Sequence, residues 1–260
     1  MRNILVVFRR EMRSYFVSPA AYAVLAALLA LSGWYFYELT VQFVLFAQSA
    51  TEQAMMFQQM PPVLNVNLLV VRPWFNIVSQ LLLFVAPIIT MKLLAEERGT
   101  GRLDVLMSAP LTEMQLILGK LLAGIVLVLL FLVPTLLYQV ALFAYGNPEL
   151  GQIATGYLGL VLHTAALIGL GLAISALTGS QVVAAVAGFA ASIAFWVIGP
   201  RTSADTSFWN SILSNVSLLR HFVNFSSGVV ETRDLVFYAT FLIYVVFITH
   251  RSVESQRWRG

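Results

Sequence analysis

The sequence predicts an all-α integral membrane protein with six transmembrane helices, and three observations predict it. First, 59% of the 260 residues are hydrophobic and only 10% are charged, whereas soluble domains carry about a quarter charged residues. Second, apolar runs recur at lengths near the ~20 residues needed to cross a hydrocarbon core of ~30 Å. Third, the basic residues are one-sided. Eleven of the 15 Lys and Arg fall in the N-terminal segment, the 92–120 stretch and the C-terminal segment. The other four are Arg72, Arg201, Arg220 and Arg233. By the positive-inside rule this places both termini in the cytoplasm. The net charge of +3 therefore reflects topology and implies no nucleic-acid partner. Cysteine is absent, which excludes disulfides and Cys-based metal or redox sites. The whole chain, 1–260, reads as one transmembrane domain.

In chain order, residues 1–18 form an amphipathic interfacial helix. Leu5, Phe8, Met12 and Phe16 recur at helical spacing, and Arg2, Arg9, Arg10 and Arg13 supply the basic side. A merely basic flank to the first span is the alternative. The apolar stretch Ile4 to Phe8 is shorter than the ~7–15 residues of a signal-peptide core. Ser18-Pro19 opens the first span, about 19–39, because proline is tolerated in a first helical turn. Counting from Pro19 brings Glu38 to the far interface beside Trp34, Tyr35 and Tyr37. Residues 40–73 are an outside segment whose first part, Val41 to Met60, can continue as helix. Met55, Met56 and Met60 lack nearby Cys or His and read as packing rather than a soft-metal site; no metal site is expected.

The second span, about 74–95, contains Pro87, which should kink it, and Lys92 marks its inner end. The third, about 116–143, starts with Lys120, expected to snorkel to the inner surface. Pro134 should kink its outer half, and Tyr145-Gly146-Asn147-Pro148 makes an outside turn. The fourth span, about 151–177, and the fifth, about 182–198, are rich in small residues. Ala165, Gly169 and Ala173 lie four apart, as do Ala184, Gly188 and Ser192, the spacing that permits close helix contact. Their short link predicts a tight inner hairpin. His163 reads as a hydrogen-bonded packing residue rather than a proton relay. Residues 199–234 are too polar to span and too apolar for an ordinary loop. Phe208, Trp209 and Leu213, then His221 and Phe222, suit short re-entrant helices in the outer leaflet. The sixth span is about 235–249.

The densest polar interruption lies between the second and third spans, Glu96 to Lys120. It opens with Glu96, Glu97 and Arg98, and Gly99 and Gly101 follow. A short amphipathic turn then sets Leu103, Val105, Leu106 and Met107 beside Arg102 and Asp104. Pro110 ends the turn, and Thr112 reads as the N-cap of the next helix. This is either a surface helix that docks a soluble partner or a polar loop holding a nascent helix.

This stretch resembles the coupling-helix segment of the type-2 ABC exporter permeases, with Arg102 and Asp104 standing where that family often has Thr and Glu. FRREMRSYFVSPAAY at the start, GYLGL at 156–160, SALTGSQVVAAV at 175–186, HFVNFSSGVVETRDLVFY at 221–238 and RSVESQRW at 251–258 resemble the gliding-motility-associated subgroup. The resemblance implies an N-terminal elbow helix carrying Arg9, Arg10 and Arg13, and a bacterial or archaeal cytoplasmic membrane. It implies two permease copies, as a homo- or heterodimer, each receiving an ATP-binding subunit on 96–112. An extracytoplasmic auxiliary protein is a further partner of that type. Phe208, Trp209, Leu213, His221 and Phe222 would form the outer gate.

No window matches the phosphate-binding pattern G-x-x-x-x-G-K-[ST], so ATP and Mg are expected on the partner and no catalytic residue here. Two other readings stand beside the exporter. One is an ABC-linked mechanical or assembly scaffold. The other is an ion-coupled carrier, which would require midplane charges and an internal repeat that the chain does not display.

Overall fold

The computed structural model describes residues 2–58, 60, 64–102, 111–198 and 215–257, and every described element is helical. α1 (Arg2–Val17) is followed by α2 (Pro19–Met56). A π-helical turn, Asn67–Val71, runs into α3 (Arg72–Thr90), and α4 (Ala95–Gly99) follows after a break. Then come α5 (Glu113–Tyr145), α6 (Leu150–Leu177), α7 (Gln181–Val197), α8 (Leu218–Ser226) and α9 (Thr232–Arg257). Among the described residues five stretches are long and apolar enough to cross a membrane: Pro19–Met56, Asn67–Gly99, Glu113–Ala144, Leu150–Leu177 and Thr232–Ser255. α7, at 17 residues, is a shorter apolar helix, at the lower edge of the span length. The protein is an all-α integral membrane protein.

Helix starts follow local chemistry. Pro19 occupies the first turn of α2. Thr112 caps α5: its Oγ1 accepts from the Gln115 amide at 3.3 Å while the Gln115 side chain accepts from the Thr112 amide at 3.3 Å, a reciprocal capping box.

α6 is the centre of the bundle, and its glycines set its neighbours' distances. A Cβ at Gly156 would lie 2.4 Å from the Phe75 ring, at Gly171 2.1 Å from Thr90 Oγ1, and at Gly169 2.8 Å from Val245. α3 and α9 therefore press against α6 backbone. Gly169 thus meets α9 and Gly171 meets α3, and Gly188 of α7 faces Pro87 of α3. Spacing states that a close contact exists; it does not name the partner. Ala184, Gly188 and Ser192 are all buried on α7. At the end of the bundle away from α1, Trp74 packs edge-on to Phe75 (5.1 Å) and its Nε1 donates to the Ser32 carbonyl at 3.1 Å, tying α2 to α3.

The helices and the expected spans do not share their ends. α2 continues past Glu38, as the Val41 to Met60 stretch allowed: its 38 residues reach about 57 Å at 1.5 Å per residue, and Glu38 accepts from Gln42 within the helix at 3.1 Å. Within the Asn67–Gly99 stretch the helix breaks after Thr90, three residues past Pro87, and resumes at Ala95. α9 runs on past the expected end of the sixth span, to Arg257. α1 buries Val7 and Met12, while Leu5 and Phe16 stay exposed. Gly119 of α5 admits Val7 so closely that a Cβ there would sit 2.7 Å away.

Candidate functional site

The polar interruption begins at the α3–α4 break, where the chain leaves helical geometry and its amides need other acceptors. Ser175 of α6 supplies one. Its Oγ accepts from the Leu94 amide at 3.1 Å and the Ala95 amide at 2.9 Å, and donates to the Met91 carbonyl at 3.4 Å. One hydroxyl thus holds the whole turn against the central helix. One residue further along α6, the Ala176 carbonyl accepts from Arg98 Nη1 at 2.7 Å and from Ser252 Oγ of α9 at 2.8 Å. This carbonyl lies in the last turn of α6, where no intrahelical donor remains and cations are favoured. Gly99 ends α4 against the α6–α7 link, and a Cβ there would lie 2.3 Å from the Gly179 carbonyl oxygen. Gly101 has φ +69° with nothing near its missing Cβ, so glycine is favoured there by conformation rather than by space.

A buried charge cluster closes the other side of α4. Lys120 is 1% exposed. Its Nζ lies 2.9 Å from Glu11 Oε1 of α1 and 2.9 Å from Glu97 Oε2 of α4. The second contact is an ion pair without hydrogen-bond alignment. Glu97 Oε1 also accepts from Arg10 Nη2 at 3.1 Å. An ammonium removed from water costs several kcal/mol unless paired; two carboxylates on two other helices provide that pairing. Lys120 is therefore a buried pin joining α1, α4 and α5, not a side chain reaching for the surface. Its position on α5 directs it inward because Glu11 and Glu97 occupy the space between α1 and α4. Tyr15, beside Glu11, has its hydroxyl pushed well above the ordinary tyrosine range, first by burial and then by the Glu11 charge.

At the opposite end, α8 and the first turn of α9 share a second polar cluster. His221 Nδ1 lies 2.5 Å from Asp234 Oδ1 and Nε2 lies 3.0 Å from the Asn215 carbonyl oxygen. Asn224 donates to Asp234 Oδ2 at 2.9 Å, and Arg233 donates to Asn215 Oδ1. The His221 ring stacks on Phe237 at 3.9 Å. Phe222 is fully buried and meets His163 of α6 at 5.3 Å between ring centroids.

A family model described as ABC-2 family transporter protein matches residues 5–250. The chain belongs to the ABC-2 transporter family. This ABC-2 protein is 26% identical over 212 residues to the probable multidrug ABC transporter permease YbhR of Escherichia coli strain K12. The match covers 75% of this chain and 57% of that one. The permease of the same name from Escherichia coli O157:H7 matches to the same extent. The chain thus spans a little over half the length of the curated relatives it matches. These similarities reach the family and stop short of the gliding-motility subgroup.

Within the ABC-2 protein, the predicted site residues are distributed as follows. Glu97 and Arg10 come together in an ion pair. Glu96, Glu97 and Arg102 line one cavity with Arg10. Arg9 and Arg13 lie on the exposed side of α1. Leu103, Asp104, Leu106, Met107 and Pro110 lie outside the described residues, as do Phe208, Trp209 and Leu213. His221 and Phe222 are packed inside the molecule. Four contributors escaped the sequence reading: Glu11, Ser175, Asp234 and the buried role of Lys120. The available signal for Glu11 was an acid inside an otherwise basic amphipathic helix. For Asp234 it was an acid just before an apolar run. Neither signal names a partner on another helix.

Proposed function

We propose that this chain is the membrane-spanning permease subunit of an ABC exporter. In this reading a second permease copy pairs with it, and a separate ATP-binding subunit docks on the 96–112 segment at the cytoplasmic face. Both termini are then cytoplasmic and the protein sits in the cytoplasmic membrane of a bacterium or archaeon. ATP and Mg belong to the partner, and this chain does no hydrolysis. One observation carries the reading: the start of the segment and the two residues before it are anchored simultaneously to α6 through Ser175 and the Ala176 carbonyl, and to α1 and α5 through Glu97. A push on a segment held this way is delivered to three helices at once, because packed interiors are stiff and transmit displacement. The name of the Escherichia coli relatives, multidrug ABC transporter permease, agrees with export; the cargo of this chain is an amphiphile in this reading, admitted sideways from the bilayer.

The test is affinity purification in mild detergent. A P-loop ATPase should co-purify in stoichiometric amount. Asp104→Ala with Leu106→Ala should abolish stimulation of that ATPase while the permease keeps its elution profile. A homo-oligomer that never retains an ATPase overturns the reading, and unchanged stimulation in the double variant removes the docking assignment.

A further inference from the structure

Between α1, the start of α2, the end of α3 and α5 lies a cavity of about 320 Å³. Its two walls differ in chemistry. Ala20, Ala21, Val24 and Leu25 of α2 face Ile88 and Ile89 of α3 across the apolar part. Arg10, Glu11, Lys92, Glu96, Arg102 and Lys120 form the charged part together with Glu97. Four of those charges cancel among themselves, since Arg10 and Lys120 are held by Glu11 and Glu97. Lys92, Arg102 and Glu96 make no ion pair among the described residues. The hydroxyl of Tyr15, kept neutral by burial and by Glu11, adds no charge. The uncommitted wall therefore carries two cations and one carboxylate, a net single positive charge.

Depth fixes the class of occupant. α2 begins at Pro19 and α3 ends at Thr90, so the cavity sits where spans leave the hydrocarbon, at the level of lipid headgroups. Its apolar side continues up α3 through Ile88 to Phe84, one turn away, and both are exposed. A basic pocket between membrane helices with an apolar exit is the chemistry that receives a phospholipid headgroup. We propose that this cavity holds the phosphate of a resident glycerophospholipid, bound by Lys92 and Arg102, with an acyl chain leaving along Ile88 and Phe84. The lipid mortars α1 to the base of α2 and α3, independently of any transported cargo.

The experiment uses the full chain, delipidated in detergent, with native mass spectrometry and thermal unfolding. Phosphatidylglycerol is added in one arm and inorganic phosphate in the other. One phosphatidylglycerol per chain should be retained, and it should raise the unfolding temperature; phosphate should do neither. Lys92→Gln should weaken lipid retention roughly tenfold, as loss of one charge-assisted bond implies. Ala21→Trp, which fills the apolar part, should abolish it. Lys92 is exposed and makes no ion pair among the described residues, so Lys92→Gln folds and decides the matter even if the tryptophan variant does not. Lipid retention unchanged in Lys92→Gln overturns the proposal. Equal stabilisation by inorganic phosphate also overturns it, and assigns the pocket to a free anion instead.

Discussion

Neutralising Glu97 should weaken the protein through Lys120, and the structure sets the size of the effect. Glu97→Gln keeps the shape of the side chain and removes its charge. Lys120, 1% exposed, then keeps only Glu11 at 2.9 Å. Breaking a buried pair outright costs ~3–5 kcal/mol. With one carboxylate left, the loss is that of a single charged contact, about 2 kcal/mol. The Arg10 contact adds little, because Arg10 is 49% exposed and solvent-screened pairs contribute well under ~1 kcal/mol. A loss of this size should lower the unfolding temperature by about 4–8 °C, at ~2–4 °C per kcal/mol for a chain of this class. Glu11→Gln with Glu97→Gln should cost more than the two single changes together, since the ammonium is then buried without a counter-charge. Adding Lys120→Met to that pair should restore most of the stability, because an apolar replacement of a buried ionic triad is often neutral. Thermal unfolding of the purified chain in lipid nanodiscs measures all four variants. Additive losses, or no rescue by methionine, would refute the claim that Lys120 is a buried pin.

Three further outcomes are expected. Ser175→Ala removes the acceptor shared by the Leu94 and Ala95 amides and should cost about 2 kcal/mol; amide hydrogen exchange should accelerate at those two positions while the middle of α6 is unchanged. Gly99→Ala places a Cβ 2.3 Å from the Gly179 carbonyl oxygen and so must separate α4 from the α6–α7 link, with a loss of roughly 1–3 kcal/mol and weakened ATPase stimulation, read in the co-purified complex. Tyr15→Phe deletes a buried hydroxyl with no hydrogen-bond partner among the described residues and should leave the unfolding temperature unchanged or raise it. Because burial and the Glu11 charge raise the folded-state value of Tyr15, its ionisation opposes folding: no such cost exists below the ordinary tyrosine pKa of ~10, and one grows above it. Wild type and Tyr15→Phe should therefore have parallel stability profiles from pH 6 to 9, and wild type should fall faster above about 10.

Composition and periodicity alone determined the class of this protein. A chain with 59% hydrophobic residues cannot leave its backbone unpaired in lipid, so its apolar runs had to be helices. The same logic gave the start of α2 at Pro19 and the cap at Thr112, because both depend on neighbours within a few residues. What the sequence could not decide was which helix each feature meets. Gly169 advertised a close contact, but only the bundle assigns it to Val245 of α9. Lys120 near a span end looked like a surface cation. Only the arrival of Glu11 and Glu97, 109 residues before it in one case and on separate helices in both, makes burial affordable. Ser175 carries no local signal at all, since its partners are two amides freed by a helix break about 80 residues away. Local chemistry is written in short spacings and survives reading in one dimension. Pairing across the bundle depends on helix rotation and depth, which are set jointly by every packed neighbour, and only the tertiary structure decides them.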